Sequence, residues 1–212
     1  MKLPMFPLQS VFFPGERVAL HIFEERYMQL IQDCLAEAIN FGIPVYIDNT
    51  VAYGTEMQLV EIVHTYPNGE MDIVCNAKRV FKVMTFDDEL DEKLYAGGIV
   101  SFVDYVEDGL PMQREAVTNF IKILYQLMDI PFDHIYKGDL SLYKLIHKIG
   151  LTLQQEFHLL KMTHESERLL YIRSHLTTTT EVLKQVNQMK DVIEMNGHFK
   201  NFDPLDFKDF KI

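Results

Sequence analysis

Cysteine is scarce in this 212-residue chain. Cys34 and Cys75 are the only two, and they stand too far apart for a Cys-x-x-Cys pair. A disulfide framework and a zinc knuckle are therefore excluded, and a reducing compartment is expected. No run of about 18 apolar residues exists, so no transmembrane helix and no membrane partner are expected. Pro4, Pro7 and Pro14 interrupt the N-terminal apolar stretch, and no small-residue cleavage site follows it. That is not the build of a secretory leader, and a cytoplasmic location is expected. None of the ten glycines is followed by lysine, which rules out a Gly-x-x-x-x-Gly-Lys phosphate cradle. Basic residues are short in one half only. Residues 1–108 hold seven Lys/Arg against eighteen Asp/Glu, whereas residues 109–212 hold thirteen of each. The whole net charge of −11 thus lies in the first half. A phosphate backbone needs clustered Lys/Arg, so nucleic acid is not an expected partner.

What the chain does contain changes period near residue 109. Before it, apolar residues alternate. Val18, Leu20 and Ile22 share one face of a strand over 17–23, with Ala19, His21 and Phe23 on the other. Gly54 to His64 starts with Met57 and Leu59 in phase and then switches to Val60 and Ile62, which predicts a bulge near Leu59–Val60. Tyr66-Pro67-Asn68-Gly69 supplies a hairpin turn. Met71, Ile73 and Cys75, then Phe81 and Val83, form the return strand, and a last strand is expected over 95–106. One helix interrupts them, over 25–38, with Met28, Ile31, Cys34/Leu35 and Ala38 at helical spacing.

After Gly109-Leu110-Pro111 the period is helical. Val117, Phe120/Ile121, Leu124 and Leu127/Met128 make an apolar stripe. Asp139 is placed to cap a short helix that Gly150 stops. Thr152 with Gln155, and Thr178 with Glu181, have capping-box spacing, so a helix is expected to begin at each, and another after Thr163. The expectation is an α+β chain: a β-barrel subdomain over 1–108 with one inserted helix, a small helical bundle over 109–195, and an aromatic-rich tail over 196–212. Phe199, Phe202, Leu205, Phe207 and Phe210 in that tail are expected to be flexible or docked.

The opening segment carries the most specific pattern. Leu3-Pro4-Met5-Phe6-Pro7-Leu8, Val11-Phe12-Phe13-Pro14-Gly15, and Leu20-His21-Ile22-Phe23-Glu24 with Arg26 and Tyr27 follow one another. This block resembles the start of the Lon substrate-binding N-terminal domain family, with about a dozen positions agreeing in order and spacing. Gly54-Thr55, Glu61-Ile62, Arg79-x-Phe81 and Glu167-Arg168-Leu169-Leu170 are similar too, and the resemblance runs over about residues 3–195. Asn76-Ala77-Lys78 departs from the Gly-Glu that relatives often place before Arg-x-Phe. The resemblance implies a PUA-like β-barrel followed by a helical bundle. It also implies a module that holds polypeptide substrates, with no ATPase or protease domain of its own. Unfolded or apolar polypeptide segments are the implied partners, and an ATP-dependent protease or a chaperone is a further one. PUA-like barrels elsewhere bind RNA, an alternative that the acidic first half opposes.

Residue by residue, chemistry finds little support. His21 and Glu24 lack a third group and any His-Glu-x-x-His spacing, so Glu24, Arg26 and Tyr27 are read as locking a strand–helix junction. The signature positions Pro7, Phe13, Pro14, Gly15, His21, Phe23, Glu24, Arg26 and Tyr27 are expected to be mostly structural. His158 and His164 fall on different sides of a helix, and His134 and His147 have no partner nearby in sequence. No serine sits in a Gly-x-Ser-x-Gly elbow. The run Asp87-Asp88-Glu89-Leu90-Asp91-Glu92 reads as a solvated loop. No catalytic residue, metal site or cofactor is expected. Phe12, Phe13, Tyr53, Met57 and Tyr66, adaptable apolar groups near strand ends, are the candidates for contact with a polypeptide.

Overall fold

A computed structural model describes residues 1–132 and 143–200, the side chains of 143, 144 and 196–200 excepted. Six strands precede the second helix: β1 (Lys2–Met5), β2 (Arg17–Ile22), β3 (Phe41–Ile47), β4 (Thr50–Thr65), β5 (Met71–Val83) and β6 (Ala96–Phe102), with α1 (Glu25–Glu37) between β2 and β3. The sheet order is β2-β5-β4-β3-β1-β6, and β6 also pairs the end of β5. Five strands therefore close into a barrel, and β2 lies along the part of the β5 edge that β6 leaves free. Closure removes most exposed edges.

Local sequence explains these choices. Tyr66 N–H donates to the Glu70 carbonyl and Gly69 N–H to the Tyr66 carbonyl, with Gly69 at φ 89. That is a type I turn followed by a left-handed residue, the three-residue hairpin that glycine permits. The β4–β5 register slips between Leu59 and Glu61, at the expected bulge, and again between Thr55 and Met57 and between Ile62 and His64. α1 turns its buried face, Tyr27, Leu30, Ile31 and Cys34, into one core with Phe41, Ile43, Met57, Ile73 and Cys75. Burying four such side chains contributes roughly 6–12 kcal/mol before chain entropy is subtracted.

The alternation-based reading gives no strand at β3. Its residues are buried from Phe41 to Val45, and Pro44 lies inside the strand beside a register shift. An all-apolar run with glycine and proline has no period of two to detect. The last strand is also shorter than expected: β6 stops at Phe102, and Val106 makes only an isolated bridge to His164.

Four helices follow among the described residues: α2 (Pro111–Leu127), α3 (Tyr143–Ile146), α4 (Leu153–Lys161) and α5 (Glu165–Lys200). Pro111 occupies the first helical position of α2, and the Gln113 side chain accepts from Leu110 N–H at 2.9 Å. The Thr152–Gln155 box caps α4 as expected. Two expected helix starts are corrected. No break occurs at Thr178, because Thr177, Thr178 and Thr180 donate to carbonyls four residues back and no glycine or proline interrupts 165–195. Nor does Thr163 cap α5. The Asp108 carboxylate does so from outside the helix, accepting from Ser166 N–H at 2.9 Å and from its hydroxyl at 3.0 Å. The expected cap at Asp139 and the tail beyond residue 200 lie outside the described residues.

The described residues within Met1–Gly109 and Asp139–Arg168 form one compact unit, and those within Leu110–Gly138 and Leu169–Ile212 a second. In the second, Asn187 of α5 donates to the Leu127 carbonyl of α2 at 2.8 Å.

Candidate functional site

The signature residues gather where β2 hands over to α1. Glu24 keeps extended backbone (φ −82, ψ 136) and its side chain does not cap the helix. Its carboxylate instead accepts from Arg26, from Nε at 2.9 Å and Nη2 at 2.7 Å. The Arg26 guanidinium lies over the Tyr27 ring at 4.5 Å, and that ring packs on Phe6 at 3.9 Å. Burial pushes the Tyr27 hydroxyl above its usual pKa. A groove of about 520 Å³ opens here, lined by Pro7, Arg26, Tyr27, Tyr46, Phe86 and Asp88 among others.

The neighbouring turn is structural. Phe13 is fully buried with its ring 5.5 Å from that of His147, and Pro14 is half-buried. Gly15 takes φ 88 and donates its N–H to the Ala77 carbonyl at 2.9 Å, which ties the turn to β5.

His21 and Glu24 serve different partners. Strand alternation buries Ile22 and leaves His21 on the outer face, directly across the ladder from Asp72. His21 Nδ1 lies 2.7 Å from Asp72 and Nε2 lies 3.4 Å from Glu70, and the Asp72 hydrogen bond raises the imidazole pKa. Tyr66 donates to Asp72 at 2.8 Å, and Phe23, well exposed, stacks on His21 at 6.1 Å. This cluster is an outward-facing brace across the β2–β5 pair and its hairpin.

The five contact candidates do not converge. Phe13 and Met57 are both 0% exposed, so neither offers a face to an incoming chain. Phe12 is partly buried against the core, Tyr53 meets the edge of Phe157 at 6.3 Å, and Tyr66 stands by the hairpin. A groove that alternation does not reveal lies elsewhere, between the end of α1 and β4. It measures about 430 Å³ and is lined by Leu35, Ala38, Ile39, Gln58, Val60 and Glu61 among others. Leu35 sits beside the buried stripe of α1, on its outer shoulder, and Ile39 follows the left-handed Ala38 that ends the helix. The sequence signal was there, one residue off the core phase.

Two ionic clusters hold the barrel unit together. Glu56 is buried in the barrel wall, where burial alone would raise its pKa. Arg79 donates to both its oxygens at 2.7 and 3.1 Å, and Asn40 adds a third bond at 3.0 Å, so the carboxyl is held below its usual value. Arg79 also lies over Phe102 at 3.6 Å. His147 sits between Glu156 at 2.8 Å and Glu16 at 3.0 Å, and these two carboxylates raise it to about 10. It is therefore a permanent cation at neutral pH. No group of three or more His, Cys, Asp or Glu among the described residues is placed to hold a metal, and no described helix is long and apolar enough to cross a membrane.

A closed five-stranded barrel, with β2 along one edge, α1 between β2 and β3, and further helices after it, defines an α+β module. Residues 2–195 match the family described as the ATP-dependent protease La (LON) substrate-binding domain, and the chain belongs to that family. Two solved structures share the fold. The Lon N-terminal domain protein from Xanthomonas campestris superposes with a TM-score of 0.63 at 24% identity, over 82% of this chain and 98% of that one. The N-terminal domain of the Mycobacterium avium complex Lon protease gives 0.61 at 15% identity, over 84% and 98%. No curated protein matches the chain.

Proposed function

We propose that this protein binds unfolded or apolar polypeptide segments at the surface of its barrel, by adhesion and without making or breaking bonds. In this reading it serves as an adaptor or substrate selector linked to proteolysis or protein quality control. The observation that carries the reading is that a chain of the substrate-binding family keeps large apolar groups exposed around grooves. Leu35 is 63% and Val60 46% exposed beside the α1–β4 groove, and Tyr46 is 39% exposed at the junction groove. Single exposed apolar groups are ordinary, but several rimming one concavity mark a contact surface.

The test is a titration of fluorescently labelled, permanently unfolded protein against the full chain. Saturable binding with a Kd of about 1–100 μM is expected, a range that suits interfaces of modest area. A flat titration would sink the reading. Crosslinking in native lysate, with and without residues 196–212, then asks whether an ATP-dependent protease or chaperone is the partner.

A further inference from the structure

Strand β4 outruns its neighbour. β3 reaches only as far as the Phe41–Met57 pair. From Gln58 to Thr65, β4 pairs β5 along one edge and, among the described residues, no strand along the other. A longer β3 would fill that space. The chain upstream of it turns instead through Ala38 (φ 53) into α1, and the α1–β4 groove occupies the gap.

We propose that this open edge takes an extended, apolar and basic polypeptide segment as an added strand. The proposal rests on the polypeptide-binding reading above and says where and how the segment is held. Three observations select this occupant. An unpaired strand edge presents backbone donors and acceptors at strand spacing, which another extended backbone matches. Alternate side chains of such a strand would fall toward the exposed apolar Leu35, Ile39 and Val60, giving preference for apolar residues at every second position. Charge supplies the third. From Tyr27 to Ala77 the chain has seven Asp/Glu and no Lys or Arg. Glu61 lines the groove and is already met by Arg17 at 2.8 Å from the β2 side, Glu37 adds a carboxylate on the last turn of α1, and no Lys or Arg is among the lining residues. Lysine or arginine at the intervening positions of the visitor complements that rim, and acidic residues oppose it. The same like charges disfavour pairing of this edge with a second copy of the chain.

The bulges at this edge bear on strength. Register slips beside Val60 and Val63 twist the strand and shorten the ladder that a visitor can form. Binding is therefore expected to be weak and rapidly exchanging, which suits sampling of many segments.

The experiment uses the full chain and a short, end-blocked peptide that alternates lysine and valine. Two further versions carry N-methyl groups on one or the other set of alternate residues, which removes N–H donors from one edge only. The expected result is that one N-methylated version loses about tenfold or more in affinity while the other binds like the parent. Replacing lysine by glutamate is expected to weaken binding by a similar factor, as is Leu35→Glu combined with Val60→Glu in the protein. Amide exchange should slow in residues 58–62. Equal binding by both N-methylated versions would overturn strand addition and leave polypeptide binding standing, as would failure of the peptide while unfolded protein still binds. Dimerisation through β4 in sedimentation, abolished by Val60→Glu, would assign the edge to a second copy and also overturn the proposal. Failure of both peptide and unfolded protein would remove the underlying reading itself.

Discussion

Gly54 lies where β3 and β4 touch most closely. A Cβ there would stand 2.4 Å from the Pro44 Cα, 2.5 Å from the Ile43 oxygen and 2.7 Å from the Phe81 ring. Backbone cannot step aside as a flexible side chain can, so Gly54→Ala is expected to destabilise the protein by about 1–3 kcal/mol, read from urea denaturation. His147 makes a prediction of opposite character, because its effect depends on pH. Glu156 and Glu16 raise its pKa from 6.5 in the unfolded chain to about 10 in the fold. A raised pKa means that the folded state holds the proton more tightly. The stabilisation is therefore complete below about pH 6.5 and disappears as pH climbs through 10. His147 is partly exposed, so His147→Gln is expected to cost about 1 kcal/mol at pH 6 and almost nothing near pH 10. Equal costs at the two pH values would show that shape at this position, rather than charge, is what matters.

The start of α5 depends on a residue that is distant in sequence from the helix it serves. Ser166 N–H, foremost, and His164 hold the Asp108 carboxyl down to about 2. Asp108→Ala is expected to leave the α5 first turn open to solvent, with amide exchange at Ser166 faster by roughly fivefold. Comparison of elements with sequence shows what kind of information was readable. β2, the Leu59–Val60 bulge, α1 and the Thr152 cap are written in neighbouring residues, as period, phase switch or capping spacing, and all four are present. β3 was not readable, because Phe41 to Val45 are buried on both faces and show no alternation. Thr178 with Glu181 carries the spacing of a helix start inside a helix, and only continuity with the turns before it silences that signal. The His147 clasp and the Asp108 cap were invisible for a common reason. Glu16 is some 130 residues from His147 and Asp108 is 58 from Ser166, so tertiary structure alone brings them together. The α1–β4 groove is an intermediate case. Its shoulder, Leu35 and Ile39, reads as the edge of a core stripe, and only the early end of β3 turns that edge into an opening.

At the scale of the molecule the dominant quantity is the uneven charge. Residues 1–108, which contain every barrel strand, carry the full −11, and the remainder is neutral. Such a field repels phosphate backbones, so no salt-sensitive gel shift with structured RNA is expected at physiological ionic strength. It also attracts cationic chains before any contact forms. Long-range attraction acts on the encounter, whereas the short-range contacts of a groove govern escape. Raising the ionic strength from about 0.02 M to 0.5 M shrinks the Debye length from roughly 20 Å to 4 Å. Stopped-flow association of an unfolded basic polypeptide is therefore expected to slow by about tenfold over that range, with dissociation changing much less. An unfolded acidic polypeptide of equal apolar content should show the reverse trend, associating faster as salt rises. If instead salt moved dissociation and left association untouched, the charge of the barrel would act only within a formed complex, through pairs such as a visiting lysine with Glu61, and steering by the whole domain would have no part in selecting its partners.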